Sequence, residues 1–285
     1  MDEEKRLFGE IELIEDLVEK RFKEFKNFDI HSYPPYDHHF INHKNQKREP
    51  ESTLAETIKK EWEMLEKNLP NSIFVRAYEE RIDLMRAAIV GLEGTPYCHG
   101  LFFFDIFFPC SYPAKPPAIF YRSYNCDLNP HLAQNGKVSL NSDNWNPQQY
   151  HIMQVLISIQ QQILIANPYN SDEGKSRKSN KEVFGLNCKA MLSILQFPPL
   201  QFKYLVEGFY RHRAHPILLI YRAEMKPEGD KITGQLFLKL VKAFEENGTY
   251  CGHHNSRVIK ELVIRETSSL PQAEGGKDCS LFLLY

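Results

Sequence analysis

The chain has 285 residues, 42% of them hydrophobic and 12% aromatic, enough apolar material for one large domain or a domain with extensions. Lys and Arg number 35 against 37 Asp and Glu, a formal net charge of −2 with no long basic block, which excludes the electrostatic footprint of a nucleic-acid binder. No apolar run reaches membrane-spanning length, and the N-terminal "MDEEKRLFGEIELIEDLVEKRF" is acidic and amphipathic where a secretory signal would be basic and then apolar, so a soluble cytoplasmic or nuclear protein is expected.

Six cysteines (98, 110, 126, 188, 251 and 279) include no C-x-x-C pair, which fits reduced thiols better than a disulfide or zinc framework. A charged helical pattern runs to about Phe28. The next stretch, "HSYPPYDHHFINHKNQKREPES", reads as a polar linker. Asp37, His38, His39 and His43 within it read as solvated loop residues rather than metal ligands, because no closed ligand set accompanies them. Thr53 and Glu56 stand at capping-box spacing ahead of a helix whose Leu54, Ile58, Trp62 and Leu65 share one face, and Pro70 stops it. Four runs rich in β-branched and aromatic residues follow, "SIFVRAYEE", "DLMRAAIVG", "LFFFDIFFP" and "AIFYRS", separated by turn signals; an antiparallel meander is expected. After the loop "NPHLAQNGKVSLNSDNWNP", Ile152, Val155, Leu156, Ile159 and Ile163 recur at helical spacing, so a central helix packs on one face of the sheet. Helical patterns at about 178–196 and 200–225 complete an α+β layer fold. The expected divisions are a helical extension and polar linker over 1–50, a core over 51–197, and a C-terminal helical extension with an irregular tail over 198–285. The linker from 29 to 50 and the final fifteen or so residues are expected to be the most mobile.

"GTPYCHGLFFFDIFFPCSYPAKPP" followed by "LNPHLAQNGKVSL" resembles the ubiquitin-conjugating enzyme family. Thr95, Pro96, Tyr97, Gly100, Phe103, Pro109, Tyr112, Pro113, Pro116 and Pro117 stand where that family's pattern has them, and the resemblance covers about 53–197. The flanks "FKNFDIHSYPPYDHHF" and "FKYLVEGFYRHRAHPILLIYRAEM" resemble the larger, plant-type branch. The physics of the motif agrees. Pro113, Pro116 and Pro117 deny backbone donors and fix φ, so the chain leaves the sheet at a set angle. Asn135-Gly136 suits a tight turn that presents the residues after it. The resemblance implies the family's fold, with a four-stranded antiparallel meander, an N-terminal helix, a central helix and C-terminal helices.

It also implies a site, and there the sequence departs from the pattern. The family's thioester-forming cysteine is Ser139 here. A thiol is partly ionised near neutral pH, whereas a serine hydroxyl needs a positioned base. His131 is the candidate base, but it occupies the position of the asparagine in the family's His-Pro-Asn segment, which reads Asn129-Pro130-His131, and no orienting carboxylate is evident. The spacing from Ser139 to Trp145 is also shorter than the family's, without the flap of the larger branch. Cys126 reads as an unreactive thiol. By resemblance, Trp62 on the first helix, Tyr112, Pro113 and Ala114 after the third strand, and Trp145, Pro147 and Gln148 on the next loop meet partner proteins, with Ala114 offering little contact area. The implied partners are ubiquitin, the ubiquitin-activating enzyme, and a ligase or an active conjugating enzyme. No cofactor is implied, since ATP is used by the upstream activating enzyme. The leading expectation is a catalytically impaired or inactive family member that acts by binding. An active carrier transferring ubiquitin to lysine is the alternative, and a decayed gene product is a third.

Overall fold

Apolar side chains fill nearly every position of the central strands, so both faces of the sheet need cover. The computed structural model describes residues 16–43, 51–138, 145–147, 151–169, 178–226 and 231–254. Its elements are α1 (Leu17–Lys23), β1 (Phe28–His31), α2 (Glu51–Asn68), β2 (Ile73–Tyr78), β3 (Leu84–Val90), β4 (Leu101–Phe107), β5 (Ala118–Tyr121), α3 (Ile152–Ser158) running into a π-helical turn (Ile159–Ile163), α4 (Asn180–Gln196), α5 (Lys203–Met225) and α6 (Lys231–Glu246). Strands β2 to β5 form the expected antiparallel meander. The sheet has five strands rather than four, because β1 pairs parallel to β2. Four residues carry too little periodicity to announce a strand, but β2 otherwise ends the sheet with open backbone groups, and β1 satisfies them.

Period-two alternation sorts the side chains. Val75, Ala77, Met85, Ala87, Phe102 and Phe104 face one core with Ile58, Trp62 and Leu65 of α2 and Ile152, Val155 and Leu156 of α3. The opposite face presents Ala88, Leu101 and Phe103 to α4, α5 and α6. The central helix therefore covers one face, as expected, and the C-terminal helices cover part of the other. Helix α2 begins at Glu51, two residues before the expected start, so Thr53 lies inside its first turn rather than at its cap. Helix α4 has the complete capping box: Ser179 Oγ accepts from the Glu182 amide at 3.3 Å, and the Ser179 amide donates to Glu182 Oε2 at 2.7 Å. Helix α6, absent from the sequence reading, buries Leu236, Phe237, Leu240, Val241 and Phe244 against the same core. Helix α1 seats its Phe22 ring on α5 at Gly208, where an added Cβ would lie 2.2 Å from that ring.

The polar-linker reading needs correction over 29–43. His38 is buried, with Nε2 2.9 Å from the Met85 carbonyl. The His39 ring stacks on Phe120 at 3.6 Å and 3°, and Phe40 packs with Tyr78 and Leu84. Asp37 is not a solvated loop residue. Its carboxylate accepts from Arg86 Nη1 at 2.8 Å and pairs with Arg122 Nη2 at 3.1 Å. Arg86 and Asp105 stand opposite each other on β3 and β4, both with fully buried side chains, joined by bonds of 2.5 and 3.0 Å. The segment is thus a strap whose charged residues neutralise a pair buried under it, an arrangement that local composition does not encode. Residues 44–50 and 255–285, where the rest of the expected mobile regions fall, lie outside the described residues.

Candidate functional site

The segment leading to Ser139 is a tight hairpin tied to β5. Gly136 turns with φ +87°, and a Cβ there would come within 2.1 Å of the Phe120 ring, so only glycine fits. The Gly136 amide donates to Ala133 O (2.8 Å), the Ala133 amide to Lys137 O (3.0 Å) and the Lys137 amide to Asn135 Oδ1 (3.1 Å), while Gly136 O accepts from the Tyr121 amide at 2.8 Å. The expected Asn-Gly turn is therefore present, and Val138 leaves it on a fixed path. Ser139 and Gln148 lie outside the described residues.

The loop begins at Asn129, which is completely buried. Its Nδ2 donates to Tyr97 Oη at 2.8 Å and to Ile163 O at 2.7 Å, and its Oδ1 accepts from the His131 amide at 2.8 Å. Tyr97 in turn donates to Leu128 O at 3.0 Å. Burial pushes the Tyr97 hydroxyl well above its usual range, so it stays protonated and able to donate. One amide thus clamps the loop to the end of the π-helical turn and to the "GTPY" segment. Asn129→Ala leaves Ile163 O and the His131 amide without these partners, and is expected to cost about 2–3 kcal/mol in chemical denaturation. A change below about 0.5 kcal/mol would mean that the clamp contributes nothing.

His131 is held by its backbone, and its side chain lines a cleft of about 410 Å³ with Gln162, Ile163, Ile165, Asn167 and Pro168. Among the described residues no carboxylate bonds to its ring. Cys126 is buried, and burial raises its thiol above the usual value against the opposing influence of Lys189 and Lys178. A thiolate at that position is disfavoured.

The residues expected to meet partners divide. Tyr112, Pro113 and Trp145 converge: Trp145 Nε1 donates to Pro113 O at 2.7 Å, the Tyr112 and Trp145 rings lie 6.2 Å apart, and the Tyr112-Pro113 bond is cis, but Tyr112 is corrected as a partner contact, since it is buried at 4% exposure and supports the face from beneath. Ala114 and Pro147 are exposed beside them. Trp62 is corrected: it is buried at 8% exposure in the core between α2 and the sheet and presents no surface to a partner. The apolar stripe that revealed α2 points inward, and Trp62 goes with it.

Sequence reasoning missed Glu61, which organises this face. It is 3% exposed and accepts from Tyr112 Oη at 2.5 Å and from the Ile152 amide at 3.2 Å, with His151 Nδ1 at 3.2 Å. Burial, and then the Glu61 charge, push the Tyr112 hydroxyl well above its usual range, so it remains a donor. The signal was available. Glu61 sits three residues after Ile58 and four before Leu65, an acid on the buried stripe.

A hairpin clamp beside a Tyr-Pro and Trp-x-Pro face, on an α+β layer fold, defines a class that comparison with known proteins identifies. Residues 57–191 match the family model described as "Ubiquitin-conjugating enzyme". The Arabidopsis thaliana protein "Putative ubiquitin-conjugating enzyme E2 38" is 36% identical over 227 residues, covering 72% of this chain and 69% of its own. "Probable ubiquitin-conjugating enzyme E2 23" of the same plant is 40% identical over 223 residues, 71% of this chain but 20% of its own length. Among solved structures, a ubiquitin-conjugating enzyme E2 from Plasmodium falciparum covers 41% of the chain at 27% identity, with a TM-score of 0.35. The chain belongs to the ubiquitin-conjugating enzyme family. It spans only about a fifth to a quarter of the length of some relatives that it matches.

Proposed function

We propose that the chain acts in the ubiquitin-conjugation pathway by binding, without forming a thioester of its own. The observation that carries this reading is Ser139, which follows Gly136-Lys137-Val138 where the family's cysteine stands. His131 in place of the family's asparagine, with no orienting acid on its ring among the described residues, leaves the hydroxyl without an assembled base. The surface of Pro113, Ala114, Trp145 and Pro147, with the buried Tyr112 holding it from beneath, is the docking face for the activating enzyme, a ligase or an active conjugating enzyme, and ubiquitin is the modifier bound. No cofactor is needed, since the activating enzyme uses the ATP. The plant-type branch is supported by alignments with Arabidopsis relatives that run well beyond 57–191. A cytoplasmic or nuclear place of action is part of this proposal.

The second reading, an active carrier that passes ubiquitin to lysine, has its own support. The Asn129 clamp orders the start of the loop that leads to Val138, the Trp145–Pro113 bond orders the Tyr-Pro turn, and the relatives carry the name of conjugating enzymes. Incubation with the activating enzyme, ATP and ubiquitin separates the two. No adduct is expected on non-reducing gels, while ubiquitin binding remains measurable by NMR titration. A hydroxylamine-sensitive ubiquitin adduct mapped to Ser139 would make the serine a working nucleophile and the second reading correct.

A further inference from the structure

Away from this face, the C-terminal helices bring three imidazoles to one point. His215 projects from the middle of α5, and the 3₁₀ turn Gly252–His254, which follows α6, lays His253 and His254 against it. One nitrogen from each ring lies within 4.8 Å of the other two. His215 Nδ1 and His254 Nε2 are 3.1 Å apart, and the His215 ring centre is 5.2 Å from that of His253 and 5.3 Å from that of His254. Among the described residues it is the one group of His, Cys, Asp and Glu side chains with this convergence.

We propose that His215, His253 and His254 form a binding site for a divalent transition-metal ion of the zinc class, which staples the end of the α6 segment to α5. Tetrahedral zinc at its usual distance from imidazole nitrogen separates neighbouring ligand atoms by about 3.3 Å. The His215–His254 pair already has that spacing, and His253, which is exposed, reaches it by side-chain rotation. No ion pair links any of the three to a carboxylate among the described residues, and the His215–His254 hydrogen bond is the contact that the ion replaces. Three nitrogen ligands with no oxygen donor select zinc, copper or nickel over calcium and magnesium. The exposed side of His253 leaves the fourth position to water. Arg222 is the one unfavourable neighbour: its Nη2 donates to the His254 carbonyl at 2.6 Å, which fixes the backbone of the site while adding a positive charge beside it.

The site has a structural consequence. His254 is buried, and Cys251, three residues before it, is fully buried against the helices, so the turn is already seated and the ion locks it. The gain from such a clip grows with the length of chain that it closes, here 39 residues between His215 and His254.

The test uses the untagged full chain after chelator treatment, with zinc chloride as the probe and magnesium chloride as the control. One equivalent of zinc is expected to bind, measured by competition with a chromogenic chelator. Thermal unfolding is expected to rise by about 5 °C or more at a hundredfold excess over Kd, with no response to magnesium. His253→Asn, at an exposed position, should keep the metal-free unfolding temperature of the parent yet bind zinc about 100-fold more weakly; His215→Gln should also lose the zinc response. Absence of stoichiometric binding overturns the proposal. So does binding that both variants retain, which would assign the ion to other histidines.

Discussion

Ser139→Cys is expected to accept ubiquitin from the activating enzyme where, on the reading proposed above, the parent chain does not, with discharge to lysine remaining slow until His131→Asn is added. A thiol near its ordinary pKa of about 8.5 is a few per cent ionised at neutral pH and intrinsically nucleophilic, so it needs little from its surroundings to accept an acyl group. Lysine attack asks for more. The oxyanion formed in that step needs a placed donor, and loss of one such donor costs about 10²–10³ in rate. The fold is prepared to supply it. The backbone of residue 131 is already pinned, its amide 2.8 Å from Oδ1 of the buried Asn129, so an asparagine side chain introduced there leaves from a fixed point on the loop. Single-turnover discharge to free lysine measures the step: Ser139→Cys/His131→Asn should exceed Ser139→Cys by at least about tenfold, allowing for incomplete recovery of the donor. Equal rates would mean that residue 131 has no part in discharge.

The largest loss of stability is expected at the buried pair under the N-terminal strap. Asp105→Ala leaves the Arg86 guanidinium buried between β2 and β4 with Asp37 as its remaining anionic partner, and is expected to cost about 3–5 kcal/mol in denaturant unfolding. Asp37→Ala, which keeps the inner pair, should cost less, about 1–2 kcal/mol. The protonation state of Asp105 is set by the same contacts. Burial alone would raise its carboxyl, but the bonds and charge of Arg86, with smaller contributions from His38 and the His39 amide, outweigh it and hold the group below its usual value. A carboxyl with a depressed native pKa stabilises fully above its unfolded pKa of about 3.9, and that contribution disappears as the pH falls below it. The difference between parent and Asp105→Ala should therefore narrow in acid and stay constant from pH 6 upward in this respect. A difference below about 1 kcal/mol at pH 7 would show that the strap packs without help from the pair.

Much of this molecule was legible in one dimension. The four meander strands announce themselves by β-branched and aromatic runs between turns, the α2 and α3 helices by apolar residues at helical spacing, and the "YPAKPP" and Asn-Gly segments by backbone chemistry that allows few conformations. All of these signals are local: period, turn chemistry and proline act within a few residues of themselves. Trp62 was legible as a stripe residue but not as a partner contact, because a stripe tells which side of a helix is apolar and its neighbours tell what covers it. Helix α6 was legible too, since Leu236, Phe237, Leu240 and Phe244 recur at helical spacing, but it went unread.

What only the tertiary structure decided lies in pairings between distant residues. Strand β1 exists because β2 offers it an edge 45 or so residues away, and the strap holds because Asp37 meets Arg86 and Arg122 across the sheet. Asn129 became the clamp, and Glu61 the anchor of Tyr112, by reaching partners 32 to 51 residues away. The three imidazoles of α5 and the last described turn meet in the same way, 39 residues apart for His215 and His254. Sequence determined the family, the meander and the serine at position 139. Only folding decided which polar residues are buried together, because the partner that makes burial of a charge or an amide tolerable is chosen in three dimensions.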